Sequence, residues 1–355
     1  MTAKNSIQIY SGEGGQAEAP SFEQSEFAES PEQYIAKKGL SHAVSTAVWL
    51  GQPLLVTGEP GTGKTQLAYS VANELRKNGA SLPLLRFNTK TTSTAKDLFY
   101  RYDSLRHFHD AQFSKAEKLP VESNINYEAL GLAILLSLGE NDPQRRAVND
   151  FLPAYRDRYE TRSVVLIDEI DKAPRDLPND ILNEIEEMKF EVKEIGAEFT
   201  AVKENRPIII MTSNSEKNLP DAFLRRCIFY HIDFPEIEDL KRIVEKRLGA
   251  AKTGFSANLR ENAISHFVKI REELKLKKKP ATAELLSWIR ILEEKELDPE
   301  NPSPQARQAL IFTYSILAKN HEDAKTIADR FGAGFTTENP VNQQDPDEPS
   351  ERNNG

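Results

Sequence analysis

Apolar positions along the chain fall into two patterns. Short unbroken apolar runs stand in "PLLVTG", "LPLLRFNTK", "RSVVLIDEID", "RPIIIMTSN" and "RCIFYHIDF". Each is bounded by polar or turn-forming residues and reads as a strand buried on both faces. Between them, apolar residues recur three and four apart. "PEQYIAKKGLSHAVSTAVWLG" carries Ala43, Val44, Ala47, Val48 and Leu50 at helical spacing, with Gly51 as a stop, so a helix is expected from Pro31. "QLAYSVANELRK" places Leu67, Ala68, Val71, Ala72 and Leu75 on one face. "LPNDILNEIEEMKF" does the same with Leu177, Ile181, Ile185 and Met188. "EVKEIGAEFTAV" alternates around Gly196 and predicts a β-hairpin.

Strands alternating with helices, each strand nearly all apolar, predict an α/β fold: a parallel sheet with helices on both faces. Residues 31–235 are assigned to it. Residues 91–160 interrupt the alternation; "TAKDLFYRYDSLRHFHDAQ" and "NYEALGLAILLSLGE" look helical, so this region is expected to be a helical insertion between two core strands. After Pro235 the pattern is helical throughout, which predicts a second domain over 236–335. Residues 1–30 read as a flexible arm with one short strand, "SIQIY". Residues 336–355 hold five acids, one arginine and almost nothing apolar, the composition of a disordered tail.

The chain has 355 residues, a length that suits two domains of unequal size. Its formal net charge of -9 counts against nonspecific nucleic-acid binding, which depends on Lys and Arg neutralising phosphates. The single cysteine, Cys227, leaves no internal disulfide to form and fits a reducing compartment. "MTAKNSIQIYSGEGG" has no apolar signal core, and "ALGLAILLSLG" falls well short of the roughly 20 residues a bilayer span needs. A cytoplasmic protein without a membrane span is the expectation.

The chemistry is concentrated at strand ends. "GEPGTGKT", Gly58, Glu59, Pro60, Gly61, Thr62, Gly63, Lys64 and Thr65, follows a strand and opens a helix. Three glycines let backbone N–H groups wrap a phosphate, and the helix aims its positive end at the same anion. Lys64 can reach the β- and γ-phosphates, and the Thr65 hydroxyl can ligate Mg²⁺. "VVLIDE" ends a strand in two acids: Asp168 is expected to hold Mg²⁺ through water, and Glu169 to orient and polarise an attacking water. Asp171 and Lys172 read as helix-start polar residues. "IIIMTSN" ends in Thr212, Ser213 and Asn214, of which Asn214 is the choice for holding the water or the γ-phosphate. No Asn-Lys-x-Asp base-reading motif is present, which favours ATP over GTP.

The order "GEPGTGKT", "VVLIDEIDKA", "IIIMTSN", "LPDAFLRRC" resembles the AAA+ ATPases, and within them the MoxR-type branch, over roughly residues 31–335. The resemblance implies a Mg²⁺-dependent ATPase whose helical residues 236–335 form a lid. It makes Asn214 the first sensor and Arg226 an arginine finger that completes a neighbour's site, with Arg225 standing where the branch often has Asp. It implies a homo-oligomer, a hexameric ring, that remodels or matures a protein client, often one with a von Willebrand factor A domain. The alternative is a nucleic-acid-directed or defence-system motor. The sequence departs from the family in the lid: "KKPATAELLSW" has Ala283 where a second sensor arginine is expected, with Arg290 two turns further along and Lys279 a weak substitute.

Other polar clusters have plainer readings. His107, His109 and Asp110 read as surface groups rather than a metal site. Lys275 to Lys279 read as a solvated helix end, and Cys227 as a core residue. "NTKTTSTAKDLFYRYD" lies at a strand end where the branch could meet a substrate.

Overall fold

A strand whose successive side chains alternate between two buried faces must be covered on both sides, and Leu54–Gly58, Val164–Asp168 and Ile208–Ser213 meet that condition, whereas Leu84–Asn88 and Ile228–Ile232 at the edges leave alternate residues exposed. The computed structural model describes residues 30–77, 79–113, 120–216, 219–251, 253–303 and 306–331. The arm with its expected strand "SIQIY" and the acidic tail 336–355 lie outside the described residues, Ser30 excepted.

These residues form two compact units, the larger within residues 12–252 and 281–286, the smaller within 253–280 and 287–331. The larger unit runs in chain order through α1 (Lys38–Leu50), β1 (Leu54–Gly58), α2 (Lys64–Glu74), a small ribbon of β2 (Arg76–Lys77) and β3 (Ala80–Ser81), and β4 (Leu84–Asn88). It continues with β5 (Tyr100–Tyr102), α3 (Ser104–Phe113), β6 (Ile125–Tyr127), α4 (Ala129–Ser137), α5 (Pro143–Val148), β7 (Val164–Asp168) and α6 (Leu177–Glu187). It closes with β8 (Lys189–Val192), β9 (Ala197–Thr200), β10 (Ile208–Ser213), α7 (Asp221–Leu224), β11 (Ile228–Ile232) and α8 (Ile237–Leu248).

The central sheet has the order β11-β1-β10-β7-β4, and every pairing in it is parallel. Alternation splits its side chains cleanly. Leu54, Val56, Val164, Leu166, Ile208 and Ile210 face α1 and α2, whereas Leu55, Leu85, Phe87, Val165, Ile167, Ile209 and Met211 pack with α4 and α6. The α/β fold expected from the sequence is therefore the one observed.

Two expectations for local structure need correction. The helix expected from Pro31 begins at Lys38; Pro31–Gln33 form a single 3₁₀ turn, and Tyr34 and Lys37 are extended. Tyr34 is diverted to pack its ring against the loop that opens α2, as described below. Residues 95–127 are not simply helical either. Thr94 and Asp97 form a capping box on a 3₁₀ turn, then β5 pairs antiparallel with β6 around α3. The reason is an aromatic stack. Phe99 lies 5.2 Å from Phe190, Phe190 lies 5.1 Å from Phe199, and Tyr127 meets Phe199 edge-on. The expected hairpin around Gly196 is present as β8 and β9, so its aromatic side chains recruit the insertion into strand form.

Within the insertion, α4 is buried almost all round, which explains a run of apolar residues without helical periodicity. Gly131 sits at its crossing with the chain at Phe99, where a Cβ would run into the Phe99 carbonyl.

The smaller unit holds α9 (Gly254–Glu273), most of α10 (Thr282–Lys295), α11 (Ala306–Leu317) and α12 (His321–Phe331). Its core includes Phe267, Trp288 and Tyr314, and His266 is buried among them with Nε2 3.0 Å from the Tyr314 hydroxyl and Nδ1 3.2 Å from Glu300. In this unit Lys277 pairs with Glu322, and Asp323 accepts from the backbone N–H groups of Lys277 and Lys278, so part of the basic run is internally matched. No helix among the described residues is long and apolar enough to cross a membrane.

Because the obstacle at Gly131 is backbone, it cannot rotate away. Gly131→Ala is expected to lower unfolding stability by about 1–3 kcal/mol, read as a reduced urea midpoint.

Candidate functional site

In a parallel sheet the loops after neighbouring strands meet at the carboxyl edge. Here β10 lies between β1 and β7, with Thr57 opposite Ser213 and Met211 opposite Ile167. The sequence-predicted residues of "GEPGTGKT", "DE" and "TSN" are thereby brought to one edge.

The loop after β1 depends on its glycines. Gly58, Gly61 and Gly63 have φ of 150°, 76° and 89°. A Cβ at Gly58 would stand 2.5 Å from the Ile232 carbonyl oxygen, and one at Gly61 would stand 2.5 Å from Ala281 Cβ. Gly63 caps α2 without any side chain, so the first N–H groups of the helix are left for an anion. Glu59 and Pro60 form the exposed turn of the loop, and Thr62 donates to the Glu59 carbonyl at 2.9 Å. Lys64 is buried and folds back on the loop, donating to the carbonyls of Gly58 at 2.8 Å and Glu59 at 2.9 Å. Burial lowers its pKa, against the pull of Asp171, Asp168, Glu169 and Glu59.

Asp168 is the hub. Its side chain is 7% exposed. Oδ1 accepts from Thr212 Oγ1 at 2.6 Å and from Thr65 Oγ1 at 3.1 Å; Oδ2 accepts from an Arg86 guanidinium nitrogen at 2.7 Å. The Thr65 hydroxyl uses its proton on Asp168, which leaves its lone pairs for a cation. A hydroxyl and a carboxylate beside a phosphate cradle form a hard-oxygen donor set that suits Mg²⁺.

Glu169 follows in the left-handed region, φ 58° and ψ 52°, a conformation that costs a non-glycine residue roughly 1–3 kcal/mol. It is held by its N–H, which donates to Thr212 Oγ1 at 2.9 Å. Its carboxylate pairs with Lys172 in the 3₁₀ turn Ile170–Lys172. Lys172, read from sequence as a helix-start polar residue, thus sits on the second acid of the strand. Asn214 is exposed just beyond β10, and its N–H donates to Asp171 at 3.3 Å.

Arg225 and Arg226 are both exposed just after α7. They differ in partners. Arg226 donates to Asn183 at 3.2 Å and lies 3.7 Å from Glu186, both on α6. The Arg225 side chain has no partner among the described residues. Cys227 is half-buried, and burial pushes its thiol up to about 12. Ala283 lies in the first turn of α10. His107 lies near Asn124 and Tyr102. The side chains of His109 and Asp110 lie outside the described residues, and no cluster of three metal-ligating side chains occurs among those described.

Three features escape a reading of the sequence. Arg86 reaches Asp168 from the neighbouring strand, where Asn88 pairs with Asp168. Its signal is a lone arginine inside an apolar strand. Thr212, rather than Ser213 or Asn214, bridges the two acids. A groove of about 530 Å³ is lined by Tyr34, Ile35, Ala36, Arg242, Glu245 and Lys246. Lys246 ties it to the Tyr34 carbonyl at 3.1 Å. The Tyr34 ring closes on the phosphate loop, since a Cβ at Gly63 would lie 3.1 Å from it. Burial raises the Tyr34 phenol pKa.

The family model for the ATPase family associated with various cellular activities (AAA) matches residues 54–236. Two mutant forms of RuvB from Thermotoga maritima are similar in structure at 16% identity, each over 86% of this chain. The match covers 81% and 80% of those chains, with TM-scores of 0.45 and 0.43. No curated protein matches the chain significantly.

Thr212→Val keeps the shape but leaves Asp168 and the Glu169 N–H one partner short. Stability is expected to fall by about 1–3 kcal/mol in urea unfolding.

Proposed function

The chain belongs to the ATPase family associated with various cellular activities, and from that premise we propose that it binds ATP with Mg²⁺ on the Gly58–Thr65 loop and hydrolyses it to ADP and phosphate. The observation that carries this is the buried Asp168 carboxylate, shared by Thr65 and Thr212 at the edge where the phosphate loop ends.

In this reading the loop amides and the start of α2 take the phosphates. Lys64 exchanges its two loop carbonyls for β- and γ-phosphate oxygens. Thr65, and Asp168 through water, would hold Mg²⁺, which when bound would supply neutralisation of charge on the phosphates. Glu169, once released from Lys172, orients the attacking water and accepts its proton as the γ-phosphate is transferred. Asn214, at the end of the strand between β1 and β7, contacts that water or the γ-phosphate. The groove lined by Tyr34, Ile35 and Ala36, whose Tyr34 ring also lies against Gly63 of the loop, is the proposed place for the base.

Arg226 acts in trans on a neighbour's γ-phosphate, an effect worth roughly 10³–10⁵ in rate in related nucleotide hydrolases. Asn183 and Glu186 hold it at the surface, and Arg225 beside it is free to contact the same anion or an interface acid. A finger in trans requires a homo-oligomer, and a hexameric ring is the proposed form. The hairpin β8–β9 before β10, the insertion before β7 and the segment "LPDAFLRRC" support the MoxR-type branch. On that basis the energy serves a chaperone-like remodelling or maturation of a protein client, one with a von Willebrand factor A domain being the leading class. Residues 31–235 then form the nucleotide-binding domain and 236–335 the lid.

Glu169→Gln is expected to lower ATP turnover by about 10²–10⁴-fold while nucleotide stays bound, read by phosphate release beside a binding titration. Unchanged turnover would remove Glu169 from the mechanism. Arg226→Ala and Lys64→Ala proteins are each expected to be inactive alone. Mixed, they should regain part of the activity, because an intact loop in one subunit then meets an intact arginine in the next. No recovery at any ratio would count against action in trans.

A further inference from the structure

Strand β4 is the edge of the sheet, and its sequence "LLRFN" alternates. Leu85 and Phe87 are buried in the core, and Arg86 and Asn88 point the other way. The register sets Arg86 beside Leu166 and Asn88 beside Asp168. From there the Arg86 guanidinium reaches Asp168 Oδ2 at 2.7 Å, the shortest contact on that oxygen. The carboxylate is 7% exposed and the arginine side chain 42%. A nearly buried acid at the metal position thus carries a full positive charge of the chain's own.

That charge has two consequences of the same sign. A bare carboxylate facing a polyphosphate repels it, and the usual remedy is the metal. With a guanidinium on the carboxylate, part of that repulsion is removed before any metal binds. The same guanidinium repels an incoming divalent cation. Both effects act over a few ångströms in a partly desolvated site, where Coulomb interactions exceed their value in water.

We propose that Arg86 is a positioning residue that weakens the dependence of nucleotide binding on Mg²⁺, by serving as a resident counter-charge for Asp168. The inference rests on the ATPase reading of the same site. A merely structural ion pair that fastens the edge strand would change stability and leave the metal dependence of binding alone.

The test titrates a fluorescent ADP analogue into full-length protein with excess Mg²⁺ or with EDTA, and compares the ratio of the two dissociation constants. In Arg86→Gln that ratio is expected to rise about tenfold over wild type, mainly through weaker metal-free binding. Arg86→Lys, which keeps the charge and the fold, is expected to stay within about twofold of wild type. An equal ratio in all three proteins would overturn the inference and leave the ATPase reading standing. A ratio raised as much in Arg86→Lys as in Arg86→Gln would also overturn it, since geometry rather than charge would then be responsible. Wild-type protein that binds no nucleotide under either condition would overturn the ATPase reading itself.

Discussion

A carboxylate cannot be buried at a sheet edge without donors, and Asp168 is the residue on which the rest of the site depends. Its donors come from α2, β10 and β4: Thr65, Thr212 and Arg86. Each depends on strand register. A one-residue slip of β4 would turn Arg86 to the opposite face, and a slip of β10 would do the same to Thr212. Core packing that fixes the register of Ile209, Ile210 and Met211 therefore also fixes the acid. Thr212 extends the arrangement by one residue, since the hydroxyl that donates to Asp168 accepts from the N–H of Glu169. The strained backbone at Glu169 is held in this way.

Lys64, Asp168 and Glu169 all have internal partners. Lys64 rests on the carbonyls of Gly58 and Glu59, Asp168 on Arg86, and Glu169 on Lys172. An anion that enters the loop must displace Lys64 from its two carbonyls, while Asp168 keeps the counter-charge of Arg86. Part of any anion interaction with Lys64 is then offset by the carbonyl contacts it replaces.

Much of this was legible in the sequence because it is local. Five apolar runs became the five strands of the central sheet, and the glycine loop, whose constraint is its own backbone, fell between β1 and α2. The acids at the end of "VVLIDE" were placed correctly at the sheet edge, because strand ends are set by the run itself. What was not legible comes from contacts distant in sequence. Arg86 meets Asp168 across 82 positions, and Tyr34 leaves helical conformation for a ring contact with Gly63. Residues 100–102 and 125–127 look helical by composition, yet pair as strands beside the Phe190 and Phe199 rings. Among Thr212, Ser213 and Asn214 the sequence offers no means to choose which one meets the acids. The register of β10 makes it Thr212 and leaves Asn214 exposed beyond the strand.

The central claim is that the Gly58–Thr65 loop and Asp168 form one phosphate and metal site. Thermal unfolding with and without saturating MgADP tests it most directly, on wild-type protein and on Lys64→Ala. Ligand that binds only the folded state raises stability by mass action, by about 2.7 kcal/mol at one hundred times its dissociation constant. The account requires a rise of several degrees in the wild-type midpoint and little or none in Lys64→Ala. Equal rises in both proteins, or none in the wild type, would contradict it.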